Sequence, residues 1–410
     1  MAWVAGGQVF AALGTLLGIK LLTSMLSPSS YGEVALAITV SGVINLFLFG
    51  PLSQAAMRFY AICSEQGSLS EYGFVVRKFV TRISLILMAL SLVAALVLWN
   101  LIEGIWASWA LLAVIFGVVA GVFSIPITIL SAMRERRLVA VLQVLDVWLR
   151  VLVAALFVAY VNDSRAAVGG FATSGVLVLA VAAIVLRKRL PTFVGKDSDH
   201  GTNDLSDRFI SFALPFVWFA SFAAISQFGD RWVLQGAIGE AEVGVYAVLQ
   251  QVATMPLMFL YAVMSSFVAP IVFSKVGSHL GGKRHNEARK LIYVASGVFC
   301  AMAAMLGMTA VVFFEPLIGF VSSKDYIGSI LAFSMIYGAT ALFLLAQFIA
   351  LLALAKNRSH DFILPKGVQA ATTLCFGLLL VGRFGIDGVA GAALAGAAVH
   401  LVLMWRVCRE

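Results

Sequence analysis

Apolar stretches recur along the whole chain and are separated by short polar connections. Roughly 20 residues of helix are needed to cross the hydrocarbon core of a bilayer, and these stretches are that long. Because no water reaches the backbone there, such stretches must be helices or the strands of a closed barrel. Barrel strands alternate in polarity over about ten residues, which these stretches do not. The pattern predicts an all-α polytopic membrane protein with twelve transmembrane helices. The predicted spans cover residues 4–26, 34–57, 79–99, 107–131, 138–161, 166–186, 209–235, 243–273, 291–314, 326–355, 361–382 and 385–405.

The composition supports this interpretation. Hydrophobic residues make up 61% of the chain and charged residues only 12%, whereas soluble domains are about one quarter charged. The formal net charge of +8 does not indicate nucleic-acid binding, because the cations lie at the ends of predicted helices. The four cysteines form no CxxC pair and the five histidines are scattered. We therefore predict no disulfide framework, metal site or other cofactor.

The cations orient the chain in the membrane. Connections after odd-numbered spans hold 3 Lys and Arg residues, whereas those after even-numbered spans, with the C-terminal tail, hold 21. The larger set includes Lys366, taken as a residue that flanks the eleventh span. By the positive-inside rule, both termini should be cytoplasmic. The first apolar stretch lacks a cleavage site, so it should be an uncleaved span. Because the chain starts almost inside it, we expect a short polar leader upstream.

The two halves of the chain resemble each other. The polar segment 191–207 separates an N-terminal lobe, residues 1–190, from a C-terminal lobe, residues 208–410. An offset of 212 residues places Gly32 on Gly244 and also brings two pairs of basic residues, 77–78 and 289–290, into register. Since each half has six spans, both enter the membrane in the same orientation. We expect two parallel-repeat six-helix bundles with a binding site in a central cavity near mid-bilayer.

Six charged residues fall inside or at the edge of predicted spans. Each costs about 2.5–3.5 kcal/mol at a helix centre, so these side chains should face a cavity or a partner. The six are Lys20, Arg58, Asp146, Arg150, Asp230 and Arg231.

Each of these charges also has an alternative explanation. Lys20 either lines the cavity or extends to the outer interface, and Arg58 is either a cavity residue or a flanking topology residue. Arg150 either contacts substrate or forms a structural i,i+4 pair with Asp146. The acidic residue next to Arg231 points in another direction around the helix, so one of the two lines the cavity while the other contacts a neighbouring helix.

Four cations against two acids favour an anionic substrate. Arginine grips phosphate with two parallel hydrogen bonds, and lysine acts as a point charge. A lipid diphosphate would rest its head on these cations and leave its tail in the bilayer. We therefore predict Lys20, Arg58, Arg150 and Arg231 as substrate-binding residues, with Asp146 and Asp230 as their charge partners.

Two stretches carry a resemblance to a known family. Leu21–Phe59, LLTSMLSPSSYGEVALAITVSGVINLFLFGPLSQAAMRF, resembles the opening hairpin of bacterial polysaccharide-biosynthesis membrane proteins. Asp230–Val252, DRWVLQGAIGEAEVGVYAVLQQV, is similar to the second-half pattern of an Asp-Arg pair, a loop and Gly-x-Tyr. These proteins are the lipid-linked oligosaccharide, or O-antigen, flippases of the multidrug/oligosaccharidyl-lipid/polysaccharide exporter superfamily. The bare N-terminus departs from the basic leader that is usual in the family.

The resemblance implies an inner-membrane flippase that moves undecaprenyl-diphosphate-linked oligosaccharide by alternating access and contacts the polysaccharide polymerase of its pathway. The family's cavity cations in helices 1, 2 and 7 fall on Lys20, Arg58 and Arg231, whereas Arg150 has no assigned family position. A cation-coupled multidrug antiporter shares this architecture, and Asp146 keeps that alternative open. A membrane glycan polymerase or ligase is disfavoured, because the outer connections are too short to hold acid/base chemistry.

Overall fold

The computed structural model describes residues 2–101, 104–190, 202–276, 282–355 and 362–409. These residues form helices and no strands. The α-helices are α1 (Ala2–Met25), α2 (Pro28–Ile44), α3 (Gly50–Glu65), α4 (Leu69–Leu101), α5 (Gly104–Ala132), α6 (Arg136–Val161), α7 (Ser164–Arg189), α8 (Thr202–Ala237), α9 (Glu240–Val276), α10 (Gly282–Val312), α11 (Phe314–Val321), α12 (Ile330–Ala355) and α13 (Ile363–Arg409).

Eleven helical segments among the described residues are long and apolar enough to cross a membrane. The prediction of an all-α polytopic membrane protein is confirmed. The difference from twelve arises in the last segment, Ile363–Val407, which is 45 residues long. At 1.5 Å per residue it measures roughly 68 Å, about twice the thickness of a hydrocarbon core. It contains predicted span twelve and residues 363–382 of predicted span eleven.

Gly385 marks the boundary between those two predicted spans. Its backbone angles are φ 55° and ψ −131°, which interrupt α13. Only glycine adopts this conformation without strain, because it has no Cβ. Gly385 therefore divides α13 into two helical segments.

We expect Gly385→Ala to destabilise the fold by about 1–3 kcal/mol, because the added Cβ strains this backbone conformation. The measurement is thermal unfolding of the detergent-purified full chain. Gly382→Ala is the matched control, since its new Cβ has no atom within 4 Å and it has no positive φ. The control should be neutral or stabilising by up to about 1 kcal/mol. Equal melting temperatures for the two variants would contradict the assignment.

The chain divides into two compact units, Met1–Ala224 and Ile225–Glu410. This division lies within α8. Much of the polar segment 191–207 lies outside the described residues, so the predicted boundary there stays a prediction.

In the N-terminal unit α1 packs along α6, and α7 packs against both α6 and α5. Small residues make the first of these contacts close. A Cβ on Gly14 would lie 2.9 Å from Val147, and one on Gly18 would lie 2.6 Å from Val151. Glycine at such positions lets helix backbones approach each other inside a membrane.

The core of this unit lies at the end where α3, α4 and the start of α8 meet. Phe59 and Phe209 stack with ring centroids 4.7 Å apart. Tyr72 is fully buried beside them and donates a hydrogen bond of 2.8 Å to the carbonyl oxygen of Ala56. A satisfied hydroxyl of this kind makes a buried tyrosine compatible with an apolar core.

A π-helical turn, Asn45–Phe49, joins α2 to α3. In it the N–H of Gly50 donates to the carbonyl oxygen of Asn45, one residue further than in an α-helix. Pro51 follows directly, and its ring would clash with the carbonyl oxygen of Phe47 in a regular helix. The wider turn accommodates the proline and leaves one 38-residue segment, Pro28–Glu65, that is long and apolar enough to cross a membrane.

In the C-terminal unit α12 packs against α13 and α9, and α10 packs against α9 and α12. Its core contains Phe299 and Phe348, whose ring centroids are 5.4 Å apart. The remaining faces of α8, α9, α12 and α13 surround a polar cavity.

Candidate functional site

A hydrogen-bonded network links α8 to α9 within the C-terminal unit. Asp230 and Arg231 are both buried, with 7% and 8% of their surface exposed. Tyr246 donates to Asp230 Oδ2 over 2.8 Å, and Gln250 Nε2 donates to the same oxygen over 3.0 Å. Arg231 Nη2 donates to Gln250 Oε1 over 2.9 Å. One amide side chain thus contacts both charged groups, and the two charges compensate each other in a region of low dielectric constant.

Tyr246 explains the Gly-x-Tyr pattern near the start of α9. Its side chain is buried, and its hydroxyl lies against Asp230 on the preceding helix. The hydrogen bond connects the last part of α8 to the first turns of α9 across a short turn. In the sequence analysis the tyrosine contributed only to a resemblance, whereas the structure gives it a physical partner.

Lys366 is a buried cation that the sequence analysis missed. Its position near the start of an apolar stretch predicts a residue that flanks the membrane, yet only 6% of its surface is exposed. Its Nζ donates to Gln369 Oε1 over 3.1 Å and lies 4.7 Å from the ring centroid of Phe343 on α12. The ammonium is therefore held by an amide oxygen and an aromatic face.

Arg231 and Lys366 both line one cavity of about 350 Å³ enclosed by α8, α9, α12 and α13. Hydroxyl and amide side chains make up much of its wall, and Phe343 contributes an aromatic face. The volume is at the lower end of the range of about 300–1,000 Å³ typical of small-molecule pockets. Two cations and one carboxylate, Asp230, give the wall a net positive charge. Such a cavity can bind a small polar or anionic group.

A pattern in the sequence could have identified Lys366. Gln369 and Thr373 follow it at i+3 and i+7, so the three side chains form a polar stripe on an otherwise apolar helix. All three line the cavity. Charge position alone was misleading, because Lys366 lies only a few residues from the helix end.

In the N-terminal unit Asp146 and Arg150 form an ion pair one helical turn apart on α6. Asp146 is buried, and the Arg150 guanidinium also lies 5.5 Å from the ring centroid of Phe116 on α5. The pair therefore has the geometry of the structural alternative. Contact between Arg150 and substrate stays a prediction.

The other two predicted cations of this unit have different surroundings. Lys20 is partly buried on α1, and Arg58 is exposed on α3. The Arg58 guanidinium lies 4.5 Å from the ring centroid of Phe212, the geometry of a cation–π contact. Among the four predicted cations, Arg231 is the one that lines the cavity of the C-terminal unit. Substrate binding by all four stays a prediction.

Metal ligands do not cluster in the part of the chain that the structure describes. No group of three or more His, Cys, Asp and Glu side chains is placed there to hold an ion. The chemistry of the described cavity is that of hydrogen bonds and fixed charges.

Residues 1–276 match the family described as polysaccharide biosynthesis protein. A comparison with curated proteins finds no significant match. Among solved structures, the fold is similar to that of the lipid II flippase MurJ in an inward closed conformation, with a TM-score of 0.73 and 14% identity, over 98% of this chain and 86% of that one. An inward-facing multidrug resistance MATE family transporter of the MOP superfamily is also similar, with a TM-score of 0.74 and 14% identity, over 99% of this chain and 97% of that one. At these identities the likeness establishes the fold.

Proposed function

Because the chain belongs to the polysaccharide biosynthesis protein family, we propose that it is a flippase for a lipid-linked oligosaccharide rather than an enzyme. It moves a saccharide carried on a polyprenyl diphosphate, such as undecaprenyl diphosphate, across the bacterial inner membrane by alternating access. Both termini face the cytoplasm in this proposal. The polysaccharide polymerase of the same pathway is a further proposed partner.

The observation that carries this proposal is the cavity of Arg231 and Lys366. Two buried cations in membrane-spanning helices are costly unless they contact an anion or a water-filled space. A cavity with polar walls and net positive charge suits the head of an anionic lipid, whose tail needs the bilayer. The predicted binding residues Lys20, Arg58 and Arg150 add cations that could contact the diphosphate.

The electric field across the membrane favours outward transport of an anionic lipid. If the cytoplasm is negative, outward movement of two negative charges is favoured by about 4–5 kcal/mol per 100 mV. An imposed inside-negative potential should therefore accelerate outward movement in vesicles. Reversal of the potential should slow it.

The direct test uses vesicles that contain the full chain and a fluorescent polyprenyl-diphosphate saccharide. A membrane-impermeant quencher reports how fast the label changes leaflet. We expect Lys20→Gln to slow transport about 10- to 100-fold, the loss expected for one charge-assisted hydrogen bond. Lys290→Gln is the control with the same charge change, because Lys290 is exposed on α10. Equal rates for the two variants would remove Lys20 from the site, and no transport by the unaltered chain would reject the function.

A multidrug antiporter is the second candidate, and the similarity to MATE transporters favours it. Antiport needs a carboxylate that exchanges protons or sodium, and Asp230 is buried in a polar cavity. Drug efflux driven by an imposed proton or sodium gradient would support this candidate. Saccharide movement without such a gradient would support the flippase.

A further inference from the structure

Lys366 has no carboxylate partner within the described residues. Its ammonium contacts Gln369 Oε1 and the ring of Phe343. The nearby His400 imidazole interacts with its charge and stacks on the same ring. A lysine with only 6% of its surface exposed inside a membrane-spanning helix is costly without an opposite charge. The position therefore favours a ligand that brings a negative charge.

Asp230 does not supply that charge, although it lines the same cavity. Its Oδ1 accepts the backbone N–H of Arg231 over 2.8 Å. Its Oδ2 accepts Tyr246 and Gln250, and Gln250 in turn contacts the Arg231 guanidinium. The carboxylate thus lies in a closed network with the neighbouring arginine. Lys366, the second cation of the cavity, takes no part in this network.

Gln251 adds a second requirement for the ligand. The residue lines the cavity, and its buried Oε1 atom accepts no hydrogen bond from any described residue. A buried acceptor of this kind costs about 1–3 kcal/mol unless a donor reaches it. An ionised diphosphate group offers only acceptors, whereas a sugar hydroxyl can donate. The ligand should therefore carry a negative charge and a hydroxyl group together.

The size and lining of the cavity agree with these two requirements. Its volume of about 350 Å³ suits one sugar ring better than a whole oligosaccharide. Gln369, Thr254 and Thr373 present side chains that both donate and accept. Phe343 offers an apolar face against which a sugar ring can lie.

We propose that this cavity binds one sugar unit that carries a negative charge. The anionic group contacts Lys366, and a ring hydroxyl donates to Gln251 Oε1. The inference rests on the proposed function in one respect, that the sugar belongs to the transported lipid-linked oligosaccharide. The carboxylate of a uronic acid or the phosphate ester of a sugar phosphate would supply the same charge.

The test is binding of soluble probes to the purified full chain in lipid nanodiscs, measured by calorimetry. Glucuronate and glucose 1-phosphate are the charged probes, glucose is the neutral one, and pyrophosphate represents the other end of the lipid head. We expect one or both charged sugars to bind more tightly than glucose and pyrophosphate. Which of the two binds better identifies the anionic group. Equal binding of glucuronate, glucose 1-phosphate and glucose, or tightest binding of pyrophosphate, would overturn the proposal.

Variants locate the binding in this cavity. We expect Lys366→Met to weaken glucuronate binding about 10- to 100-fold, as for the loss of a charge-assisted hydrogen bond. Lys366→Arg should keep measurable binding, and it guards against loss through misfolding. Gln251→Leu should also weaken binding. Lys290→Met removes an exposed cation from α10 and should leave binding unchanged, so equal effects of the two methionine variants would reject the site.

Vesicle transport separates this inference from the proposed function. With lipid diphosphates that carry either a neutral or an acidic sugar, Lys366→Met should slow the acidic substrate and spare the neutral one. Equal slowing of both would overturn the sugar site while the flippase stands. If the unaltered chain moves neither lipid, the flippase is rejected, and the nanodisc binding still decides the sugar site.

Discussion

Arg231→Met is expected to destabilise the C-terminal unit by about 3–5 kcal/mol, the usual cost of leaving a buried charge without the opposite charge beside it. Asp230 would keep the hydrogen bonds of Tyr246 and Gln250 but lose the charge that compensates it. The measurement is thermal unfolding of the detergent-purified full chain. Transport of the lipid-linked saccharide should also fall, by about 10- to 100-fold, if the guanidinium contacts the substrate.

The double variant Asp230→Asn with Arg231→Met separates these two effects. It removes both charges, so most of the lost stability should return. Transport should stay as low as in the single variant, because the substrate still lacks its cation. If transport recovers together with stability, Arg231 serves only to compensate Asp230, and its proposed contact with the substrate is wrong.

Gly170→Ala is expected to destabilise the N-terminal unit by about 3 kcal/mol, at the upper end of the range for overpacking. The added Cβ would lie 2.5 Å from the Cα of Ala154 and 2.9 Å from its backbone nitrogen. Backbone atoms cannot rotate away as a side chain can, so α6 and α7 would have to separate. Loss of melting temperature in the purified protein is the measurement.

Gly169→Ala is the matched control on the adjacent residue of α7. Its new Cβ would lie 3.9 Å from a ring carbon of Phe157, an ordinary van der Waals contact. Alanine is the better helix former, so this variant should be neutral or gain up to about 1 kcal/mol. If both variants melt alike, the contact between α6 and α7 is looser than the structure shows.

The helical spans could be predicted from the sequence because lipid imposes a strict requirement on them. Each crossing needs an unbroken apolar stretch, and the backbone must form its own hydrogen bonds. The ends were harder to predict, since helices continue past the apolar stretch: α9 extends to Val276 and the sequence placed its end at residue 273. The break at Gly385 lies where the twelfth span was predicted to begin, at residue 385.

The candidate site could be predicted only in part. Asp230 and Arg231 stood out because charges are rare inside apolar stretches, and both are buried. Their partners Tyr246 and Gln250 could not be identified, because a hydrogen bond between two helices depends on how the helices rotate against each other. Lys366 was missed for a related reason. A cation near a helix end either reaches water or turns inward, and composition alone does not distinguish the two.

The π-helical turn at Asn45–Phe49 determines the direction, around the helix axis, in which every later side chain of the same segment points. Each residue of a helix advances about 100° around the axis, so the one additional residue in the wide turn shifts every later side chain by that angle. The direction in which Arg58 points, and hence its contact with Phe212, is decided at this upstream turn. Inserting or deleting one residue there would redirect the arginine without changing any residue of α3.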